Sequence, residues 1–395
     1  MASGKGLRIA IYSQDGWGLG HLRRNIRICQ RLLKEVPDSS ILLIADSPVA
    51  PFFQLPDGVD LIKLPSIRKI IAGKWKPIRL RIPTTDLQHL RAGLLQTAFI
   101  NYRPHLVLVD HMPGGAQGEL IPSLDVLNRT QPDCSVVLGL RDILDAQQII
   151  TRVWESEGAY DAIRWYYDRI LIYGSREIFD TVTIYQLPTP PKGIHYCGYV
   201  ANQDPVKPAG KIRQGLCACD QKLVFVSAGG GADGHLLMRT YLQAIRFLGC
   251  RADFVTLMSP GVNAPPEFRR ELEAEAQGLP VQLVSYVDDS MSHIAAADLV
   301  VSMAGYNTLS EVLSLRKKAL IVPRSGPSAE QTTRARLLAK RGLIDVIEPK
   351  DLFPENLAER LLLDLQRSDY PAYDEPIDTR GARHAAIRLS ELIRY

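Results

Sequence analysis

Two kinds of residue in this chain have the type and spacing for chemistry: groups that can take a proton, and glycine turns that can hold an anion. His21 closes the run GWGLGHLRR at residues 16–24. Its ordinary pKa lies near neutrality, which suits a general base; a histidine that only caps or braces the loop is the other reading. Gly18 and Gly20 beside it let the main chain turn tightly and approach an acceptor closely. Asp110, in RPHLVLVDHMPGG, follows a buried apolar run and so emerges at the carboxyl end of a strand, where it is the second candidate base. Arg141 and Asp142, in VVLGLRDILD, hold the matching place after the next run. Each can bind or activate a hydroxyl, and each can equally be a turn former.

The anion-holding pattern is densest at residues 297–336, ADLVVSMAGYNTLSEVLSLRKKALIVPRSGPSAEQTTRAR. An apolar strand at 299–302, ending on Ser302, runs into a turn at Gly305, and a helix starting at Asn307 and Thr308 carries Glu311 one turn in. A second strand at 319–322 ends at Pro323, and a polar loop delivers Glu330 and Gln331 to another helix. Helix N-termini after parallel strands point N–H groups and a positive dipole end at a ligand, so this segment reads as a nucleotide-diphosphate cradle. Glu311 lies too far inside to meet phosphate and is placed for the hydroxyls of a neighbouring ribose. The plainer alternative makes Thr308 or Ser310 a helix cap. A second turn, VSAGGGADG at 226–234, brings Gly229, Gly230 and Gly231 in succession, the composition of a main-chain nest around phosphate. Asp233 reads there as a helix cap, since it would repel an anion. Main-chain groups at Tyr286 and Val287 can pair with a base edge, with Met291 packed beneath.

Several alternatives fall away. A dinucleotide fingerprint needs G-x-G-x-x-G, and its sixth position here is His21, which weakens an NAD reading despite Asp46 at the end of the second strand. No P-loop, no G-x-S-x-G elbow and no D-x-D pair occurs; the last absence argues against carboxylate-bound Mg²⁺, so neither metal nor cofactor is expected. A net charge of +4 without a long basic run argues against nucleic-acid binding. The six cysteines make no disulfide framework, and Cys217 and Cys219 lack C-x-x-C spacing. With no signal-peptide pattern and no apolar run of membrane length, a cytoplasmic protein is expected. The stretch IRKIIAGKWKPIRLR, residues 67–81, interleaves six bases with apolar residues and no acid. It reads as a solvated loop or short helix, or as a surface for anionic lipid headgroups or a phosphorylated acceptor at the inner face of a membrane.

The elements that must position these groups follow a βαβ rhythm. Strands are expected at 8–13, 41–45, 105–109, 135–138 and 169–173, then at 223–227, 253–258, 281–284, 299–302 and 319–322, with helices between them, for instance at 22–34. At 395 residues the chain exceeds the size of one core, so two domains are expected. The aperiodic, proline- and glycine-bearing stretch 194–210 reads as the join. The boundaries are 1–200 for an N-terminal domain, 201–210 for the linker, 211–377 for a C-terminal domain, and 378–395 for an amphipathic helix that packs back on the first. The fold class is α/β, two Rossmann-like doubly wound parallel sheets with a cleft between them.

Taken together, these segments resemble the family-28 group of GT-B glycosyltransferases, most specifically in ADLVVSMAGYNTLSEVLSLRKKALIVPR and EQTTRARLLAKRG. The resemblance implies that Gly305, Asn307 and Thr308 face a diphosphate and Glu311 the ribose. It further implies that Glu330 and Gln331 reach the donor sugar, that Gly229–Gly231 form the diphosphate loop, and that Tyr286–Val287 read uracil. His21 stands where the family has a histidine after its first glycine loop. GWGLGH and GGGADG depart from the family's versions of both loops, and the acceptor half matches poorly. The implied activity is inverting, metal-independent transfer from a nucleotide-diphosphate sugar, a UDP-sugar, to an acceptor left unnamed. A nucleotide-sugar hydrolase or epimerase, or a binding protein without chemistry, stays open beside it.

Overall fold

The computed structural model describes residues 6–14, 19–71, 74–216, 221–230, 233–372 and 377–393, with the main chain alone at 69, 71 and 74. The chain forms two compact units, Met1–Val200 with Arg380–Tyr395, and Ala201–Thr379. In the first, β1 (Arg8–Ser13), α1 (Gly20–Glu35), β2 (Ser40–Ala45) and β3 (Val59–Lys63) are followed by a hairpin of β4 (Ile67–Ile71) and β5 (Lys74–Pro77). Then come α2 (Thr84–Tyr102), β6 (Leu106–Asp110), α3 (Ile121–Thr130), β7 (Ser135–Arg141), α4 (Gln147–Ser156) and α5 (Ala159–Tyr166). The series closes with β8 (Arg169–Tyr173), α6 (Thr181–Tyr185) and β9 (Ile194–Tyr196). The main sheet is parallel in the order β3-β2-β1-β6-β7-β8-β9.

The second unit runs through α7 (Ala209–Arg213), β10 (Lys222–Ser227), α8 (His235–Leu248), β11 (Phe254–Ser259), α9 (Pro266–Glu275) and β12 (Val281–Leu283). It continues with α10 (Ser290–Ala296), β13 (Leu299–Ser302), α11 (Tyr306–Ser314), β14 (Ala319–Ile321), α12 (Glu330–Ala339), β15 (Asp345–Val346) and α13 (Pro354–Gln366). Its sheet, also parallel, has the order β12-β11-β10-β13-β14-β15. Both orders reverse direction beside the first strand of the unit, so the connections that follow β1 and β6, and β10 and β13, lead away to opposite sides. That divergence is the place where open α/β sheets take ligands.

Local sequence explains these elements. LVLVD and RILIY are buried from end to end, as strands covered on both faces must be. On α1, Leu22, Ile26, Cys29 and Leu32 recur at helical spacing and are buried. A final helix, α14 (Gly381–Ser390), returns the chain to the first unit and packs on α1 through Ala382, Ala385, Ala386 and Leu389. Its first residue must be glycine, because a Cβ there would lie 2.4 Å from the Gly198 carbonyl.

Some expectations change. The basic stretch at 67–81 is neither loop nor helix at its start but the antiparallel hairpin β4–β5. Ile67 and Trp75 bury its inner side against Leu87 and Ala116, which alternating apolar residues permit. The stretch expected as a join from 194 begins instead as the edge strand β9 and ends in α7. Strands β3 and β15 were not expected, being short and placed at or near sheet edges. Gly16, Gly18, Gly231, Cys217 and Cys219 lie outside the described residues.

One buried charge makes stability depend on pH. Asp364 of α13 sits beside Asp345 of β15, which Arg360 holds, with Arg367 at 3.6 Å from Asp364. Burial first, then the Asp345 charge, pushes the Asp364 carboxyl up to about 7. An unfolded aspartate titrates near ~4. The folded state therefore keeps this proton to higher pH, and the site's support of the fold is full below about pH 4 and is lost as pH rises through 7. Asp364→Asn stays neutral throughout, so it should raise the melting temperature more at pH 8 than at pH 5; equal changes at both would contradict the assignment.

Candidate functional site

In the first unit the chemistry gathers where β1 and β6 part. His21, one residue into α1, and Asp110, the last residue of β6, meet there: His21 Nδ1 lies 2.6 Å from Asp110 Oδ2. Asp110 can only accept, which calls for a proton on Nδ1, while Arg24 Nη2, which can only donate, lies 2.9 Å from the same nitrogen. Arg24, one turn further along α1, donates to Asp110 Oδ1 at 2.7 Å. Asp110 and Arg24 are both fully buried, whereas His21 keeps 16% of its side chain exposed. Burial alone would raise the Asp110 carboxyl, but Arg24 and His21 together hold it well below the usual carboxylate range. The acid is thus a fixed anion that orients the histidine, and Asp110 is not itself free to act as a base. His111, the next residue, takes a left-handed backbone with φ +73°. Its ring centroid stands 5.2 Å from that of His21. Burial, then Arg141, pushes its imidazole below the ordinary range, so it is neutral beside the His21–Asp110 pair.

The other predicted residues of this unit have different employment. Asp142 is fully buried, accepts the Tyr199 hydroxyl at 2.9 Å and the Ile143 amide at 2.8 Å, and shapes its own loop. Arg141 ends β7, and Gly20 opens α1. Asp46, the acid of the NAD reading, is buried and held by Arg91 at 3.5 Å and Gln14 at 3.3 Å. Arg91 in turn grips Glu119 at 2.6 Å, and Glu119 accepts the Tyr12 hydroxyl at 2.6 Å. Arg24 was not singled out in the sequence, although its place one turn after His21 in GHLRR was the available signal.

In the second unit the loops after β10 and β13 converge. Gly229 has φ +63°, and a Cβ on it would stand 3.7 Å from Thr308 Oγ1. The glycine turn and the start of α11 are therefore neighbours. Gly230 accepts the Asn263 amide at 2.9 Å. Helix α11 begins at Tyr306 with Gly305 as its N-cap, no side-chain cap and no acid in its first turn. Thr308 and Ser310 are not caps: the Ser310 hydroxyl donates back to the Tyr306 carbonyl at 2.8 Å. Asn307 lies in the same first turn. Glu311 is buried and accepts the Ser290 hydroxyl at 2.9 Å. Ser302, also buried, donates to the Met303 carbonyl at 3.2 Å, so its side chain serves the turn.

At the start of α12, Glu330 is bound by the fully buried Arg334 at 2.9 Å, and Arg334 also lies over the Tyr306 ring at 5.4 Å. The bond to Glu330 is internal to α12; the ring contact, with a bond from Arg334 to the Ala304 carbonyl at 3.4 Å, ties α12 to the start of α11. The Gln331 carbonyl oxygen accepts the Arg324 amide at 3.1 Å. Tyr286 is exposed and Val287 half-buried in irregular chain after β12, and Met291 is buried in α10. Asp233 does not cap α8, whose N-cap is Gly234; it pairs with Arg324 at 2.8 Å. Among the described residues no group of three or more His, Cys, Asp or Glu is placed to hold a metal ion.

The Arg24–Asp110 pair carries a stability prediction. Removing one partner of a buried ion pair strands the other charge and costs about 3–5 kcal/mol. Asp110→Asn should lower the unfolding free energy of the first unit, measured by denaturant titration, by an amount in that range, while His21→Ala, at a partly exposed position, should lower it far less. Equal losses would show that Asp110 does not hold Arg24.

Comparison with known proteins bears on the family and the fold. The glycosyltransferase family 28 C-terminal domain model matches residues 225–388. The UDP-N-acetylglucosamine–N-acetylmuramyl-(pentapeptide) pyrophosphoryl-undecaprenol N-acetylglucosamine transferase of Geobacillus kaustophilus is 33% identical over 191 residues, 47% of this chain and 51% of that protein. The chain spans about half the length of the curated relatives it matches. Among solved structures, MurG of Acinetobacter baumannii aligns with a TM-score of 0.59 at 14% identity, covering 96% of this chain and 95% of that one. A glycosyltransferase of Rickettsia africae aligns with a TM-score of 0.61 at 13% identity, covering 99% and 96%. Residues 225–388 accordingly match the glycosyltransferase family 28 C-terminal domain, within a chain of GT-B fold.

Proposed function

We propose that this protein is an inverting, metal-independent glycosyltransferase that moves a sugar from a nucleotide-diphosphate donor, a UDP-sugar, to an acceptor hydroxyl. The observation that carries the reading is the meeting of Gly229 with Thr308 at the β10–β13 divergence, with Glu311 one turn into α11, inside the segment that matches the family domain. In this reaction the acceptor oxygen bonds to the anomeric carbon as the bond to the diphosphate breaks. The proton of the acceptor must go to a base, and negative charge grows on the leaving diphosphate. Oriented amides and a helix N-terminus meet that charge without reorganising, which is how a site supplies stabilisation without a cation. Glu311 is assigned the ribose hydroxyls. His21 is assigned the base, acting through Nε2, and Asp110 the role of orienting it.

The Geobacillus relative's name gives it a UDP-N-acetylglucosamine donor and an undecaprenol-linked acceptor. That supports a UDP-sugar here, and an acceptor that is lipid-linked or phosphorylated. The first unit has a surface of matching chemistry. Around the hairpin, Ile70, Leu80 and Ile82 are exposed at 56%, 44% and 37%. Arg79 and Arg81 are exposed beside them, with Arg68 and Lys76 half-buried. Apolar contact with basic neighbours is the pattern of a surface that rests on anionic lipid. Among the described residues no helix is long and apolar enough to cross a membrane. A cytoplasmic protein working at the inner face of the membrane fits these features.

Two experiments test the reading. With a UDP-sugar donor and a competent acceptor, Glu311→Ala should weaken donor binding at least about tenfold, the scale of one lost charge-assisted hydrogen bond. His21→Ala should retain donor binding and lose turnover by about 10²–10⁴. Unchanged binding in the first, or unchanged turnover in the second, contradicts the assigned roles; full-rate sugar release without acceptor would mark a hydrolase instead. In sedimentation with vesicles of anionic phospholipid, neutralising Lys76, Arg79 and Arg81 should release the protein, at about 1 kcal/mol per charge near the surface. Unchanged sedimentation would sink the membrane contact.

A further inference from the structure

Of the residues that line the carboxyl end of the second sheet, Arg324 and Asp233 have no part in the reading above. Arg324 follows Pro323 after β14, and Asp233 follows the glycine turn after β10. The sheet order sets β13 between those two strands. The Arg324–Asp233 bond, 2.8 Å from Nη1 to Oδ2, therefore spans the end of β13, the strand that leads into α11. The main chain beside each end of the bridge is in close contact with its own unit. The Arg324 amide donates to Gln331 Oε1 at 3.1 Å, which anchors its main chain to the first turn of α12. On the other side a Cβ at Gly234 would lie 2.2 Å from the Ala228 Cβ, so the residue after Asp233 sits tightly on Ala228, just past the end of β10.

The pair is partly open to water, with 29% and 44% of the two side chains exposed. A pair so exposed adds little to stability. Its position has a larger consequence, because it sets a guanidinium and a carboxylate beside the turn and helix end assigned to the diphosphate. A diphosphate repels Asp233 and offers Arg324 a stronger, bidentate partner than one carboxylate oxygen. Resting on the donor-site reading, we propose that the Arg324–Asp233 bridge is an electrostatic latch across the empty cradle: Arg324 is a further donor-binding residue, its guanidinium leaves Asp233 for the donor's phosphate oxygens, and Asp233 competes with them for it. The latch keeps the guanidinium neutralised and in place without ligand. It also favours ligands with enough phosphate charge to displace a carboxylate.

A double-mutant cycle read by calorimetric titration with UDP tests this. Arg324→Gln should weaken UDP about tenfold, and Arg324→Lys, which keeps the charge and loses the fork, should fall between. Asp233→Asn should tighten UDP about two- to fivefold while Arg324 is present, the range of an exposed pair, and clearly less in the Arg324→Gln background, where only direct repulsion is relieved. Thermal melts of each variant identify any loss that comes from misfolding. The latch is overturned if Arg324→Gln binds UDP within twofold of the wild type. It is also overturned if Asp233→Asn has the same effect in both backgrounds, since the carboxylate would then act on the ligand directly. Wild-type protein that binds no UDP would refute the donor-site reading itself, whereas wild-type binding with an unmoved cycle refutes the latch alone.

Discussion

Parallel strands can be joined only by crossovers, and when successive crossovers leave to opposite sides of a sheet, the loops after two adjacent strands must part. Both sheets of this chain contain that reversal, beside β1 in one and β10 in the other. Everything assigned a chemical role follows from it. The loops after β1 and β6 bring His21 to Asp110, and those after β10 and β13 bring Gly229 to Thr308. The β14 loop, next in order, supplies Arg324.

Buried ion pairs then hold the parted loops still. Arg24 fixes Asp110, and with it the orientation of His21; Arg334, held by Glu330 within α12, rests on Tyr306 at the start of α11; Arg91 and Glu119 lock the neighbourhood of Asp46 and Tyr12. Such pairs contribute little net stability against apolar replacements of the same shape, because desolvation offsets their attraction. Their effect is geometric. Each one removes freedom from a side chain or main-chain turn that a bound substrate would otherwise have to order itself.

The long buried strands were legible in the sequence, because an apolar run covered on both faces has few other outcomes; RIAIYS, RILIY and LVVS fall where the pattern put them. Short edge elements were not. VDLIK and IHY carry too few apolar residues to stand out from loop, and the hairpin's alternation was masked by its lysines and arginines. In the candidate site, His21 and Asp110 were each visible as residue types at strand ends, but their bond joins positions 89 apart in the chain, which only the sheet order brings together. Arg24, Arg324 and Arg334 were missed for the same reason: a buried or bridging arginine looks like a surface one until its partner is known. Asp233 was read as a cap because local spacing allows it, and a distant cation won instead.

The central claim is that the second unit takes a nucleoside diphosphate on oriented main-chain dipoles, with no cation required. Calorimetric titration of the full chain with UDP, in the presence and absence of EDTA, tests it most directly. The account predicts saturable binding at one site with the same affinity in both conditions. Absence of binding, or binding that the chelator abolishes, would contradict it.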